Sequence, residues 1–141
     1  ERDPDAGPGC NGVPTLTFPI DVGWGAGNRV YGARSDGTIR EGAMTPPDTA
    51  LWYERERIPG PVRAIWGRSE DDVFVGGARG YFGPTYSTEI KHFDGTTWTS
   101  LAIPQPGPPE FLAPVIFGIW GRGEHEIFAV GDHGMILHLQ P

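Results

Sequence analysis

Apolar residues in this chain come in short runs separated by glycine-rich turns, and the runs repeat. Trp24, Trp66 and Trp120 each precede a glycine, in GWGAG, IWGRS and IWGRG. Soon after each tryptophan comes a β-rich run: Val30-Tyr31, Val73-Phe74-Val75 and Ile127-Phe128-Ala129-Val130. From Tyr31, Phe74 and Phe128 the next landmark lies six residues on in every copy, at Gly37, Gly80 and Gly134. An isoleucine then opens a third run, at Ile39, Ile90 or Ile136. Two copies go on to a further tryptophan, Trp52 or Trp98, and to an apolar-proline pair, Ile58-Pro59 or Ile103-Pro104.

Each full copy therefore predicts four short strands. Glycines at fixed offsets supply the positive φ that tight turns need. Asp94-Gly95 is a strong hairpin signal, and proline after the fourth run ends a strand by removing a ladder donor. Strands this short are not stable as isolated hairpins. They are stable as four-stranded antiparallel blades stacked face to face, so the expected fold is all-β, a β-propeller.

The third copy stops after its third run. Ahead of the first Trp-Gly pair sits NGVPTLTFPI, in which Asn11-Gly12 matches the Asp-Gly turn and Phe18-Pro19 matches the apolar-proline pairs. The expected organisation is a polar tail or linker at 1–10, an outer strand at 11–20, blades at 21–60 and 61–114, and a blade at 115–141 without its outer strand. The strand at 11–20 is expected to complete the last blade, with Leu16 and Phe18 paired near Leu137, within one chain or between two. Propellers have about four to eight blades, so three blades' worth of strands cannot close a ring. A homodimer exchanging that strand would make six. The alternatives are a piece of a longer propeller, or remaining blades carried on another chain.

Composition narrows the partners. The 141 residues suit one domain, and five Trp and seven Phe supply a core although hydrophobic residues are only 38%. A net charge of −7 without a Lys/Arg cluster argues against nucleic acid and anionic membrane surfaces. The lone Cys10 rules out an internal disulfide and a cysteine-based zinc site. No run reaches the ~18–20 apolar residues of a membrane span. The chain opens without methionine or a signal peptide, which leads us to expect a processed chain or a piece of a longer one.

The segments IWG…DVFVGG…IKHFDGTTW and IWG…EIFAVGDHGMILH resemble the repeats of secreted bacterial β-propellers, with sialidase-like and photosystem-assembly-factor-like propellers as loose relatives. The resemblance covers about residues 11–141 and implies the propeller fold. Together with the acidic, Gly/Pro-rich composition it implies a secreted, periplasmic or cell-surface setting. The sialidase motif S-x-D-x-G-x-x-W is absent from the sequence, so that active site is not carried over.

Residues that recur in every copy are read first as packing. The Trp-Gly tryptophans are expected between blades, and Trp52 and Trp98 against the next sheet. His92 and His138 hold equivalent positions in different blades, too far apart to share a metal, and His125 and His133 fall in turns. The acidic turns at Ser69–Asp72 and Gly123–Glu126 lack the spacing of a calcium loop. No cofactor or metal site is expected.

Residues that do not recur carry more information. Two insertions flank the second copy: Tyr81–Glu89, between its second and third runs, and Gln105–Pro114, before the third Trp-Gly pair. Both should rise from one face of the disc, because strands alternate in direction. They would gather Tyr81, Phe82, Tyr86 and Phe111 with Glu89, Glu110 and Gln105, and these seven are the candidate ligand-binding residues. Long loops on a rigid scaffold concentrate binding, and tyrosine is a stiff, amphipathic contact residue. The alternative is that these aromatics only pack the loops down. No nucleophile elbow, phosphate loop or catalytic triad spacing is present. The expected function is therefore a non-catalytic propeller that binds a glycan or a protein through the loop face. The alternatives are a structural subunit of a larger propeller assembly, or a glycoside hydrolase or lyase working with carboxylates.

Overall fold

Tight turns and alternating burial set the architecture. The computed structural model describes residues 20–43, 52–58, 60–79, 87–104 and 114–140. Among these the fold is all-β, with eleven strands in three antiparallel sheets and a single 3-10 turn at Asp132–Gly134. The first sheet runs in sequence order through β1 (Val22–Ala26), β2 (Arg29–Ala33), β3 (Thr38–Ala43) and β4 (Trp52–Arg57). The second repeats this with β5 (Val62–Ser69), β6 (Asp72–Arg79), β7 (Ser87–Phe93) and β8 (Trp98–Ser100). The third has β9 (Ile116–Arg122), β10 (Glu126–Gly131) and β11 (Ile136–Leu139). Strand β5 lies between β1 and β9, so the first strands of the three sheets stand side by side.

The register aligns the repeat across the sheets. Trp24 faces Tyr31, Trp66 faces Phe74 and Trp120 faces Phe128. On the third strand the same row continues to Glu41, His92 and His138. Each sheet thus carries one cross-strand row of large side chains on one face.

Those rows pack on the sheet that comes next. Tyr31, almost fully buried, meets Phe93 and Trp98 of the second sheet at 6.3 and 6.4 Å between ring centroids. Its hydroxyl donates across the junction to the Glu70 carbonyl at 2.7 Å, and burial raises its pKa. Phe74 and Ile90 lie against Ile116, Ile119, Ile127 and Leu139 of the third sheet. Alternation explains how one sheet serves two junctions. In β6, Val73 and Val75 join the junction with the first sheet, and Phe74 joins the junction with the third.

The Asp94-Gly95 turn differs in detail from a two-residue hairpin. Phe93 pairs with Trp98, which leaves four residues in the connection, and only Gly95 takes positive φ, at 91°. The Asp94 carboxylate instead accepts from the backbone N–H groups of Thr96 and Thr97, at 2.9 and 2.7 Å. Those bonds hold its pKa below the usual carboxylate range. Asp36 does the same for the turn before β3, accepting from Thr38 N–H at 2.9 Å, with its pKa lowered mainly by that bond.

Of the outer strand expected at 11–20, residues 11–19 lie outside the described residues, as does the tail expected at 1–10. Among the described residues β11 pairs only with β10, and Ile136 on it is 72% exposed.

Two outcomes test this packing. Phe74→Ala should lower unfolding stability by about 3–5 kcal/mol in urea titration, as expected for a ring lost from a closed junction. Asp36 has a lowered folded-state pKa, so its contribution is complete above the ordinary aspartate range and is lost as pH falls through the lowered value. Stability measured on acidification should therefore fall less steeply in Asp36→Ala than in the parent; equal slopes would mean the turn bond contributes nothing.

Candidate functional site

Of the seven residues expected to form a ligand face, the described residues include Glu89. It sits on β7 opposite Gly77, half-buried, and its Oε1 accepts from Ser100 Oγ at 3.1 Å. Tyr81, Phe82, Tyr86, Gln105, Glu110 and Phe111 lie outside the described residues. The roots of the two insertions do meet. Buried Thr88 donates through Oγ1 to the Pro114 carbonyl at 2.6 Å, joining the end of the first insertion to the end of the second. Val115 N–H then donates to Asp132 Oδ1 at 2.8 Å, which ties the same corner to the 3-10 turn. The shared corner is a result of strand alternation, which brings the entry to β7 and the entry to β9 to one side.

A second feature stands at the far end of the stack of sheets. In the second sheet Trp66, Phe74 and His92 form a ladder, with centroids 6.2 and 4.2 Å apart and the imidazole nearly parallel to the Phe74 ring. The third sheet carries a matching ladder at the same positions: Trp120, Phe128 and His138, spaced 5.8 and 4.8 Å. The ladder of the second sheet is covered by the third. Among the described residues nothing covers the ladder of the third, and Trp120 is 48% and Phe117 57% exposed. Trp120, Gly121, Arg122, Glu126 and Phe128 line a hollow of about 270 Å³ on this face. Ile136 extends the apolar surface to the edge strand.

The Trp-Gly pair explains why the ladders fit. A methyl carbon placed on Gly67 would come within 2.6 Å of Cη2 of Trp24, and one on Gly121 would lie 3.1 Å from Cη2 of Trp66. The tryptophans of the first and second sheets therefore each rest on the glycine of the sheet that follows, a contact that a Cβ would obstruct. The spacing of the Trp-Gly pairs predicts tryptophans between sheets, and Trp24 and Trp66 lie there. It does not single out Trp120, whose residue type and spacing match the other two.

Charged groups near the junctions are engaged with one another. Asp72 accepts from Arg68 Nε and contacts His92 Nε2 at 2.8 Å, while Arg68 Nη1 also donates to the Glu124 carbonyl in the third sheet's first turn. Glu41 pairs with Arg29 and Arg55, at 3.5 and 3.0 Å. Lys91 pairs with Glu56 of the first sheet at 3.2 Å. Glu126 accepts from Arg122, which holds its pKa below the usual range, and His138 Nε2 donates to the His125 carbonyl at 2.9 Å. Among the described residues no group of three or more His, Cys, Asp or Glu is placed to hold a metal ion, and no helix is long and apolar enough to cross a membrane.

No protein-family model matches the chain, and neither the curated proteins nor the solved structures compared with it give a match.

The Thr88–Pro114 hydrogen bond joins the roots of the two insertions. Thr88→Val should therefore lower stability by about 0.5–1.5 kcal/mol, the net worth of one part-buried hydrogen bond, in the same urea titration. A change near zero would show that the corner is held by other contacts.

Proposed function

We propose that this chain is three blades' worth of a β-propeller and works as a non-catalytic assembly and binding module, whose third sheet docks a further sheet of the same kind. The observation that carries this reading is the ladder Trp120–Phe128–His138, which repeats Trp66–Phe74–His92; Trp120 and His138 are exposed where Trp66 and His92 are half-buried under the next sheet. Large apolar patches on a sheet face mark interaction surfaces. Here the chain itself carries two examples of what such a face receives, at its two internal junctions.

The state of the carboxylates supports a non-catalytic role. A carboxyl that donates a proton to a leaving group needs a raised pKa. Asp36, Asp94 and Glu126 are shifted the other way by their hydrogen-bond donors. Asp72, Glu41 and Glu56 are held in ion pairs with Arg, His or Lys. Recognition of a glycan or protein outside the cell would be a further role of the same scaffold, carried by the loops between β6 and β7 and between β8 and β9.

Hydroxyl-radical footprinting, at a concentration where the chain sediments as one copy, tests the reading. Trp120, Phe117 and Ile136 should label strongly, and Trp24, Trp66 and Phe74 should be protected. Equal labelling of the three Trp-Gly tryptophans would overturn it, because the faces would then not be docked in sequence.

A further inference from the structure

We infer that the partner on the open face is a second copy of this chain, with Trp120 of each copy seated on Gly25 of the other. The inference rests on the docking role proposed for the third sheet and goes beyond it by naming the partner and the contact. Two junctions within the chain show the rule: Trp24 rests on Gly67, and Trp66 rests on Gly121. Continued in both directions, the rule leaves one tryptophan and one glycine over. Among the described residues Trp120 has no glycine ahead of it, and Gly25 has no tryptophan behind it. The three atoms nearest to a methyl carbon on Gly25 would all belong to Val30 and Arg29 of the neighbouring strand β2, where those at Gly67 include Trp24 and those at Gly121 include Trp66. Burial runs in the same order. Gly67 is buried and Gly121 half-buried, but Gly25 is exposed.

The rest of the two surfaces is complementary. Along β1 the residues facing the second sheet, Val22, Trp24 and Ala26, are half-buried, while Gly23 and Gly25 on the other face are exposed. That other face continues through half-buried Val30 to Gly32, on which Ile20 packs. Glycine at these places lets an aromatic row approach the backbone closely, as it does at Gly67. The polar hooks also repeat. Arg68 pairs with Asp72 and reaches the first turn of the next sheet at the Glu124 carbonyl. Arg122 pairs with Glu126 in the same geometry and is 87% exposed. Across the new junction it would face the corresponding turn of the second copy, Gly27-Asn28.

Closure favours two copies. The contact is heterologous, head to tail, and such contacts form a ring when the rotation closes. Three sheets from each of two copies give a ring of six, within the about four to eight that propellers use. Each copy then donates one Trp120 and one Gly25, and no tryptophan or glycine of the series is left over.

Sedimentation at tens of micromolar, with photo-crosslinking from a benzophenone side chain placed at position 120, tests this. The parent chain should sediment at about twice 15.3 kDa. Trp120→Glu and, separately, Gly25→Gln should each weaken the dimer by at least about 30-fold, as for a central interface residue, with circular dichroism unchanged. The crosslink should join position 120 to a peptide containing residue 25. A parent chain that sediments as one copy overturns the inference. So does a dimer indifferent to both substitutions, or a crosslink from position 120 to the third sheet of the other copy. A single copy with Trp24 and Trp66 still protected from labelling would remove the second copy as partner and leave the docking face standing. Labelling of all three tryptophans would remove both.

Discussion

The contact on which the structure depends is a tryptophan laid against the backbone of the next sheet at a glycine. It fixes two things at once. It sets how closely neighbouring sheets approach, since only a residue without Cβ leaves room for the indole edge at Gly67. It also sets their order, since the aromatic row projects from one face and the small or aliphatic residues that receive it lie on the opposite face of the neighbouring sheet. Val73 receives the row of the first sheet, Val75 meets Ala33 and Ile39 beside it, and Ile119, Ile127 and Ala129 receive the row of the second. A sheet with such unlike faces has a direction, and a stack of them has two unlike ends.

Polar groups then lock the turns that this packing brings together. Tyr31 is nearly fully buried, yet its hydroxyl is satisfied by the Glu70 carbonyl of the neighbouring sheet. Asn28 N–H donates to Glu70 Oε2 at 3.1 Å, and Arg29 pairs with Asp71 at 2.7 Å. Exposed pairs of this kind add little stability each. Their placement at the first turns of neighbouring sheets makes them hooks that fix rotation between sheets, while the aromatic rows supply the burial.

Strand order and sheet composition were legible in the sequence because period-two alternation and glycine spacing are local signals. Trp24, Trp66 and Trp120 stand at one register position, and a repeat in the sequence predicted it. The mode of the Asp94-Gly95 turn was not legible. Whether aspartate enters the turn through its backbone angles or through its carboxylate depends on Thr96 and Thr97, whose donors the dipeptide signal ignores. The unlike burial of Trp66 and Trp120 was also hidden, because identical residues at identical spacing differ only in whether another sheet lies over them. Of the loop residues expected to bind a ligand, Glu89 is placed beside Ser100, and the sequence gives no distance for such a pair.

His138 has a consequence of its own. Its imidazole lies flat on Phe128 and donates through Nε2 to the His125 carbonyl in the turn between β9 and β10. A sheet laid over this ladder would meet the flat face of the ring, with one of its polar atoms already bonded to the backbone of its own sheet, so covering it would break no hydrogen bond made there.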